Sequence, residues 1–86
     1  MAIIVQKYGG TSIAGTAQIK QVAKRIIASR HEPTQVVVVV SAMGQTTEKL
    51  LALAHGISDN PDTRELDLLL STGEMVSCSL LALALK

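Results

Sequence analysis

Apolar residues recur along this chain with two different periods. From Ala2 to Tyr8 they are nearly continuous, Ile3, Ile4 and Val5 running into Gln6, Lys7 and Tyr8. In an extended chain Ile3, Val5 and Lys7 share one face, and Ile4, Gln6 and Tyr8 the other. Lys7 thus stands at the carboxyl end of a first strand, where an ammonium group reaches solvent or a ligand without the cost of burial. Further on, Ile19, Val22, Ala23, Ile26 and Ile27 repeat at i, i+3, i+4, i+7 and i+8, the stripe of an amphipathic helix, with Lys20, Lys24 and Arg25 on its other faces. Thr11 or Ser12 is expected to cap this helix, Gly15 to lie near its start, and Pro33 in the polar turn Arg30–Thr34 to stop it. Gln35 to Val40 then holds five consecutive valines, a β-branched run apolar on both faces, which predicts a central parallel strand. Strand, helix and strand make a right-handed βαβ unit.

Downstream the helical period returns. Gln45, Thr46 and Thr47 open a second helix whose buried stripe is expected to be Leu50, Leu53, Ala54 and Ile57. One of the two threonines should act as N-cap and the other hydroxyl project towards the crevice at the strand ends. Gly56 and Ser58–Pro61 break the chain. Asn60 as N-cap and Pro61 at the first helical position predict a third helix, with Asp62 and Glu65 in its first turn and Leu66, Leu69 and Leu70 inward. Ser71 and Glu74 have the spacing of a capping box, which would start a fourth helix. That helix, Met75 to Leu85, is apolar nearly all round, so it is expected to be buried in a larger body or an interface.

Composition narrows the picture. With 86 residues the chain is one domain or less, yet 48% of it is hydrophobic and only one residue is aromatic. Aliphatic content of this kind suits an α/β fold with a helix-covered parallel sheet, and its amount points to a surface that meets another. A net charge of +1, with the charges spread along the chain, argues against nucleic-acid or membrane-surface partners. The single cysteine, Cys78, excludes an internal disulfide and fits a reducing compartment. No signal peptide is evident and no apolar run is expected to approach a membrane span, so a soluble cytoplasmic protein is the expectation. Neither His31 nor His55 has metal-ligand spacing around it.

The candidate chemistry lies where the two strands end. If the strands are parallel, Lys7-Tyr8-Gly9-Gly10 and Ser41-Ala42-Met43-Gly44 both leave at the carboxyl edge, where open α/β sheets bind ligands. Backbone N–H groups at a glycine turn approach an anion closely, a following helix adds its positive end, and Lys7 adds a mobile charge. The combination suits nucleotide phosphates, although G-x-x-x-x-G-K-[ST] does not occur. Glycine and threonine at such a turn can equally serve geometry and capping alone. Glu74 has two readings as well: a structural cap, the commoner use of its spacing, or a carboxylate for a ligand's ammonium group.

Together, Lys7–Ser12, Val39–Thr47, Arg64–Asp67 and Leu70–Glu74 resemble the N-terminal part of the aspartokinases, within the amino acid kinase family. The resemblance covers the whole chain, in the family's order and spacing. It implies a fragment of the family's three-layer αβα sandwich, with residues 1–86 forming an incomplete kinase domain. It implies phosphoryl transfer from ATP, with Mg²⁺, to the side-chain carboxylate of L-aspartate, giving 4-phospho-L-aspartate on the route to lysine, threonine and methionine. By the same resemblance Lys7 contacts the transferring phosphoryl group and Tyr8, Gly9, Gly10 and Ser41 belong to the ATP site. Ser41, Thr47 and Glu74 hold aspartate, and no protein metal ligand is expected. The segment Gly15-Thr16-Ala17-Gln18 departs from the family, with small or neutral residues in place of charged ones. The family's later kinase segments, its catalytic aspartate and its regulatory ACT domains lie outside these residues, so the chain alone is expected to be inactive. The alternative is a non-catalytic interaction module or split subunit that assembles through its apolar last helix, with itself or with the remainder of the kinase.

Overall fold

The computed structural model describes residues 2–86. Strand β1 (Ile3–Tyr8) pairs in parallel with β2 (Gln35–Val40), Ile3 opposite Gln35 and Tyr8 opposite Val40. Between them run a short 3-10 turn, Gly10–Ile13, and helix α1 (Thr16–Ser29). Helix α2 (Thr46–Ile57) and helix α3 (Thr63–Leu85) follow. The fold is α/β, as the patterning predicts.

The register sorts the strand residues into two faces. Ile4, Gln6 and Tyr8 lie beside Val36, Val38 and Val40; Ile3, Val5 and Lys7 lie beside Gln35, Val37 and Val39. Helix α1 and the second half of α3 cover the first face. There Tyr8, Ile13, Ile19, Val22, Ala23, Ile26 and Leu81 form the core, with Val36, Val38 and Val40 packed against it. No element among the described residues covers the second face, and Val5 remains 65% exposed and Val37 48%. The described residues thus form a sheet with one helical layer.

Several expectations need correction. Neither Thr11 nor Ser12 caps a helix: the Ser12 N–H donates to the Gly9 carbonyl at 3.1 Å in the 3-10 turn, and α1 starts after Gly15. That turn drives Ile13 into the core, at 1% exposure, a position no periodic pattern marks. Ile27 is exposed, because eight residues carry it about 80° around the helix from Ile19, to the edge of the stripe. Leu53 and Ile57 are exposed as well. Helix α2 rests on α3 along Leu50, and Ala54 is half-buried, while Leu53 and Ile57 face outward.

The larger correction concerns α3. The expected third and fourth helices are one helix of 23 residues. Its N-cap is Asp62, whose Oδ1 accepts the Arg64 N–H at 2.9 Å, and not Asn60, whose N–H donates to Ser58 Oγ. No capping box forms at Ser71 and Glu74. The Ser71 and Thr72 hydroxyls donate to the carbonyls of Leu68 and Leu69, three residues back, so these polar side chains are satisfied inside the helix. Being continuous, α3 is long and apolar enough by length and composition to cross a membrane, contrary to the expectation from a chain broken at Ser71. Here one side of it, Gly73, Ser77 and Leu81, is buried against protein.

The cap carries a pH dependence. The hydrogen bond from the Arg64 backbone N–H, more than any other contact, holds the Asp62 carboxyl below its ordinary value of 3.8. A depressed folded pKa means stability that is full above the ordinary carboxylate range and lost as pH falls through the depressed value. Asp62→Ala is therefore expected to lower the thermal midpoint of the helical signal at neutral pH, and the difference from the parent should close on acidification. A difference that widened in acid would overturn the cap's role.

Candidate phosphate and substrate crevice

Two turns meet at the carboxyl ends of β1 and β2, and backbone hydrogen bonds hold them together. The Ser41 N–H donates to the Tyr8 carbonyl at 3.1 Å, and the Gly44 N–H donates to the Gly10 carbonyl at 2.9 Å. A Cβ on Gly10 would lie 2.9 Å from the carbonyl oxygens of both Ala42 and Gly44, so only glycine fits. Gly44 has a φ of +50°, the left-handed conformation glycine adopts without strain. Gly9 is open: nothing lies within 4 Å of where its Cβ would be.

The side chains distribute unevenly around this junction. Lys7 is exposed, on the bare face of the sheet beside Val39. Tyr8 is buried in the core, its Oη donating to Gln6 Oε1 at 2.9 Å, while Gln6 Nε2 donates to Ser29 Oγ. The phenol is thus occupied away from the strand ends. Thr46 and Thr47 begin α2, but neither caps it: the N-cap position is Gln45, without a side-chain bond, and the Thr46 N–H donates to the Met43 carbonyl at 2.9 Å. Thr47 is half-buried in the first turn.

Glu74 is exposed on α3 and lines a cleft of about 460 Å³ with Val38, Val40, Ser71, Met75 and Cys78. Freed from any capping box, its carboxylate is available to a ligand. A larger cleft of about 650 Å³ lies at the other end of the sheet, between Ile26, Arg30, Pro33 and Leu85. That is the amino end of β2, and parallel sheets place their ligand sites at the carboxyl end, so the Glu74 cleft is the candidate.

The structure therefore joins the turn of Gly9 and Gly10 to the turn that Ser41 opens, through Ser41 on Tyr8 and Gly44 on Gly10, and sets Thr47 on α2 and Glu74 on α3. Lys7 and Glu74 it keeps on opposite faces of the sheet, so a ligand touching both must lie across the strand ends. Among the described residues, no group of three His, Cys, Asp or Glu side chains is placed to hold a metal ion.

Two residues of this region escape sequence reasoning. Gly73 lets α3 approach the turn, since a Cβ there would sit 3.1 Å from Ala42 Cβ and from Thr46 Cγ2. One turn later the buried Ser77 hydroxyl donates to the Ser41 carbonyl at 2.6 Å. The available signal is a pair of small residues at i and i+4 in an otherwise large apolar helix.

Comparison with known proteins finds relatives along the whole chain. The chain is 54% identical to Aspartokinase 2 of Bacillus subtilis over 86 residues, all of this chain and 21% of that protein. It is 51% identical to an aspartokinase of Mycobacterium tuberculosis, again over its whole length and 20% of the relative. The crystal structure of aspartate kinase from Synechocystis superposes with a TM-score of 0.93 at 55% identity, over 98% of this chain and 14% of that one. The chain spans about a fifth of the length of the curated relatives it matches. A sequence model of the amino acid kinase family matches residues 2–86, and with it the chain belongs to the amino acid kinase family.

Proposed function

We propose that these residues form the N-terminal wall of an aspartate kinase active site, transferring the γ-phosphoryl group of ATP to the side-chain carboxylate of L-aspartate. The observation that supports this most is the zipped junction of the Gly9-Gly10 and Ser41–Gly44 turns at the carboxyl edge of a parallel sheet. A carboxylate oxygen of aspartate attacks the γ-phosphorus, the bond from that phosphorus to the bridging oxygen breaks, and ADP leaves. The nucleophile is already ionised near pH 7, so no general base is needed. What is needed is relief of its repulsion from the phosphates, by positioned donors and charge.

In this reading Lys7 meets the transferring phosphoryl oxygens. The open side of Gly9 and the Gly10 and Ser41 backbone line the phosphates, and Thr47 and Glu74 hold aspartate, the carboxylate at its ammonium group. Tyr8 contributes as the buried anchor of the strand end. Mg²⁺ suits this chain only as part of the nucleotide, since it is commonly held by substrate phosphates and water with few protein ligands. The bare sheet face of Ile3, Val5, Val37 and Val39 is then the surface on which the rest of the kinase domain packs.

The test is a chimera in which these 86 residues replace the matched segment of Aspartokinase 2 from Bacillus subtilis. Aspartate-dependent release of ADP from ATP is expected. A folded chimera that binds neither substrate overturns the reading and favours the non-catalytic interaction module, for which the exposed Leu68, Met75, Val76 and Leu83 of α3 would be the contact surface.

A further inference from the structure

Four hydroxyl side chains on α3 donate hydrogen bonds. Those of Ser71, Thr72 and Ser79 close back on carbonyls of their own helix, at Leu68, Leu69 and Met75. Ser77 alone among them crosses to another element. Its Oγ lies 2.6 Å from the Ser41 carbonyl and 3.1 Å from the Glu74 carbonyl, and the residue is 1% exposed. One buried hydroxyl thus touches the backbone of the residue on the phosphate side and of the residue on the amino-acid side.

We propose that Ser77 is a positioning residue of the phosphoryl-transfer site, its buried hydroxyl fixing Glu74 relative to the Ser41 turn. The inference rests on the function proposed above. The turn has its own anchors, the bonds from Ser41 to Tyr8 and from Gly44 to Gly10. Among the described residues, the side-chain hydrogen bond from helix α3 to the turn is this hydroxyl's, and beside it Gly73 packs closely on Ala42 and Thr46. Gly73 and Ser77 are four residues apart and so lie on one face of α3, with Glu74 beside them. Loss of the bond leaves the turn in place and lets α3 shift, and with it the carboxylate. The effect falls on aspartate rather than on ATP. A buried carbonyl left without its donor also resists collapse of the gap, since it must be resolvated or move.

The experiment measures the Michaelis constants of the chimera with Ser77→Ala and with Ser77→Cys, which keeps the shape and a weaker donor. Ser77→Ala is expected to raise the KM for aspartate about tenfold, the effect of one lost buried hydrogen bond, with the KM for ATP little changed. Ser77→Cys should fall between. A purely structural role would lower the thermal midpoint and the active fraction while leaving both constants alone. An aspartate KM equal to the parent's in Ser77→Ala, or in Ser77→Cys if the alanine variant does not fold, overturns the positioning role alone. An unsubstituted chimera that folds but has no activity overturns the proposed function, and this inference with it.

Discussion

Lys7→Ala in the chimera is expected to lower turnover by ~10²-fold or more and to leave the thermal midpoint where it was. The first half rests on what phosphoryl transfer needs. Negative charge gathers on the transferring oxygens while an anionic carboxylate approaches them, and removing one positioned donor from such a site costs about 10²–10³ in rate. The second half rests on where Lys7 stands. It is exposed at the end of β1, beside Val39 on the bare face, outside the core of Tyr8, Ile19, Val22 and Leu81. Among the described residues its chain carries charge without packing, and as the penultimate residue of β1 it stands at the crevice rim of the face on which the rest of the domain packs, past Ile3 and Val5. Lys7→Arg separates charge from shape: a planar guanidinium keeps the charge but not the compact ammonium point. Near-normal turnover in Lys7→Ala would sink the assigned role, and a collapse of stability would show that the residue belongs to the fold instead.

What the sequence made legible was local chemistry. The first strand, the valine strand and the stripe from Ile19 to Ile26 follow from short-range periodicity, and all three stand. So does the pairing of two glycine turns at one edge, because parallel strands must end on the same side. Periodicity shows which side of a helix is apolar but not what is there to cover it. Ile27, Leu53 and Ile57 fit their stripes and are still exposed, and Val5 of β1 and Val37 of β2 face outward from strands that read as apolar runs.

The misreading of Ser71 to Glu74 has a different origin. A capping box and a helix interior can share the same four residues, since serine and threonine bond either forward to a free N–H or back to a carbonyl. Here they bond back, at Leu68 and Leu69. The choice is decided by tertiary contact: Gly73 must sit inside a continuous helix to pass close by Ala42 and Thr46. That same contact brings Ser77 to Ser41, thirty-six residues away in sequence, beyond the reach of any local pattern.

Gly10→Ala is the second substitution with a large expected effect, and Gly9→Ala is its control. The two glycines are adjacent and equally small, but their surroundings differ. At Gly10 the new Cβ would meet two carbonyl oxygens, of Ala42 and Gly44, each at 2.9 Å, with the Gly44 N–H at 3.4 Å. All three neighbours are backbone, in a turn pinned by the bonds from Ser41 to Tyr8 and from Gly44 to Gly10, so none can rotate aside. The strand ends must part, and overpacking of this kind costs about 1–3 kcal/mol. A displacement near 1 Å at a positioned site costs about 10²-fold in rate, so turnover and thermal midpoint should fall together. At Gly9 there is space, and its φ of −78° suits any residue, so Gly9→Ala should leave the midpoint unchanged. If nucleotide phosphates approach that N–H closely, the same methyl group will raise the KM for ATP in a protein that is otherwise intact. A Gly10→Ala chimera as stable and active as its parent would mean that the two turns are not held as tightly as their hydrogen bonds indicate. The phosphate crevice would then lose its fixed floor.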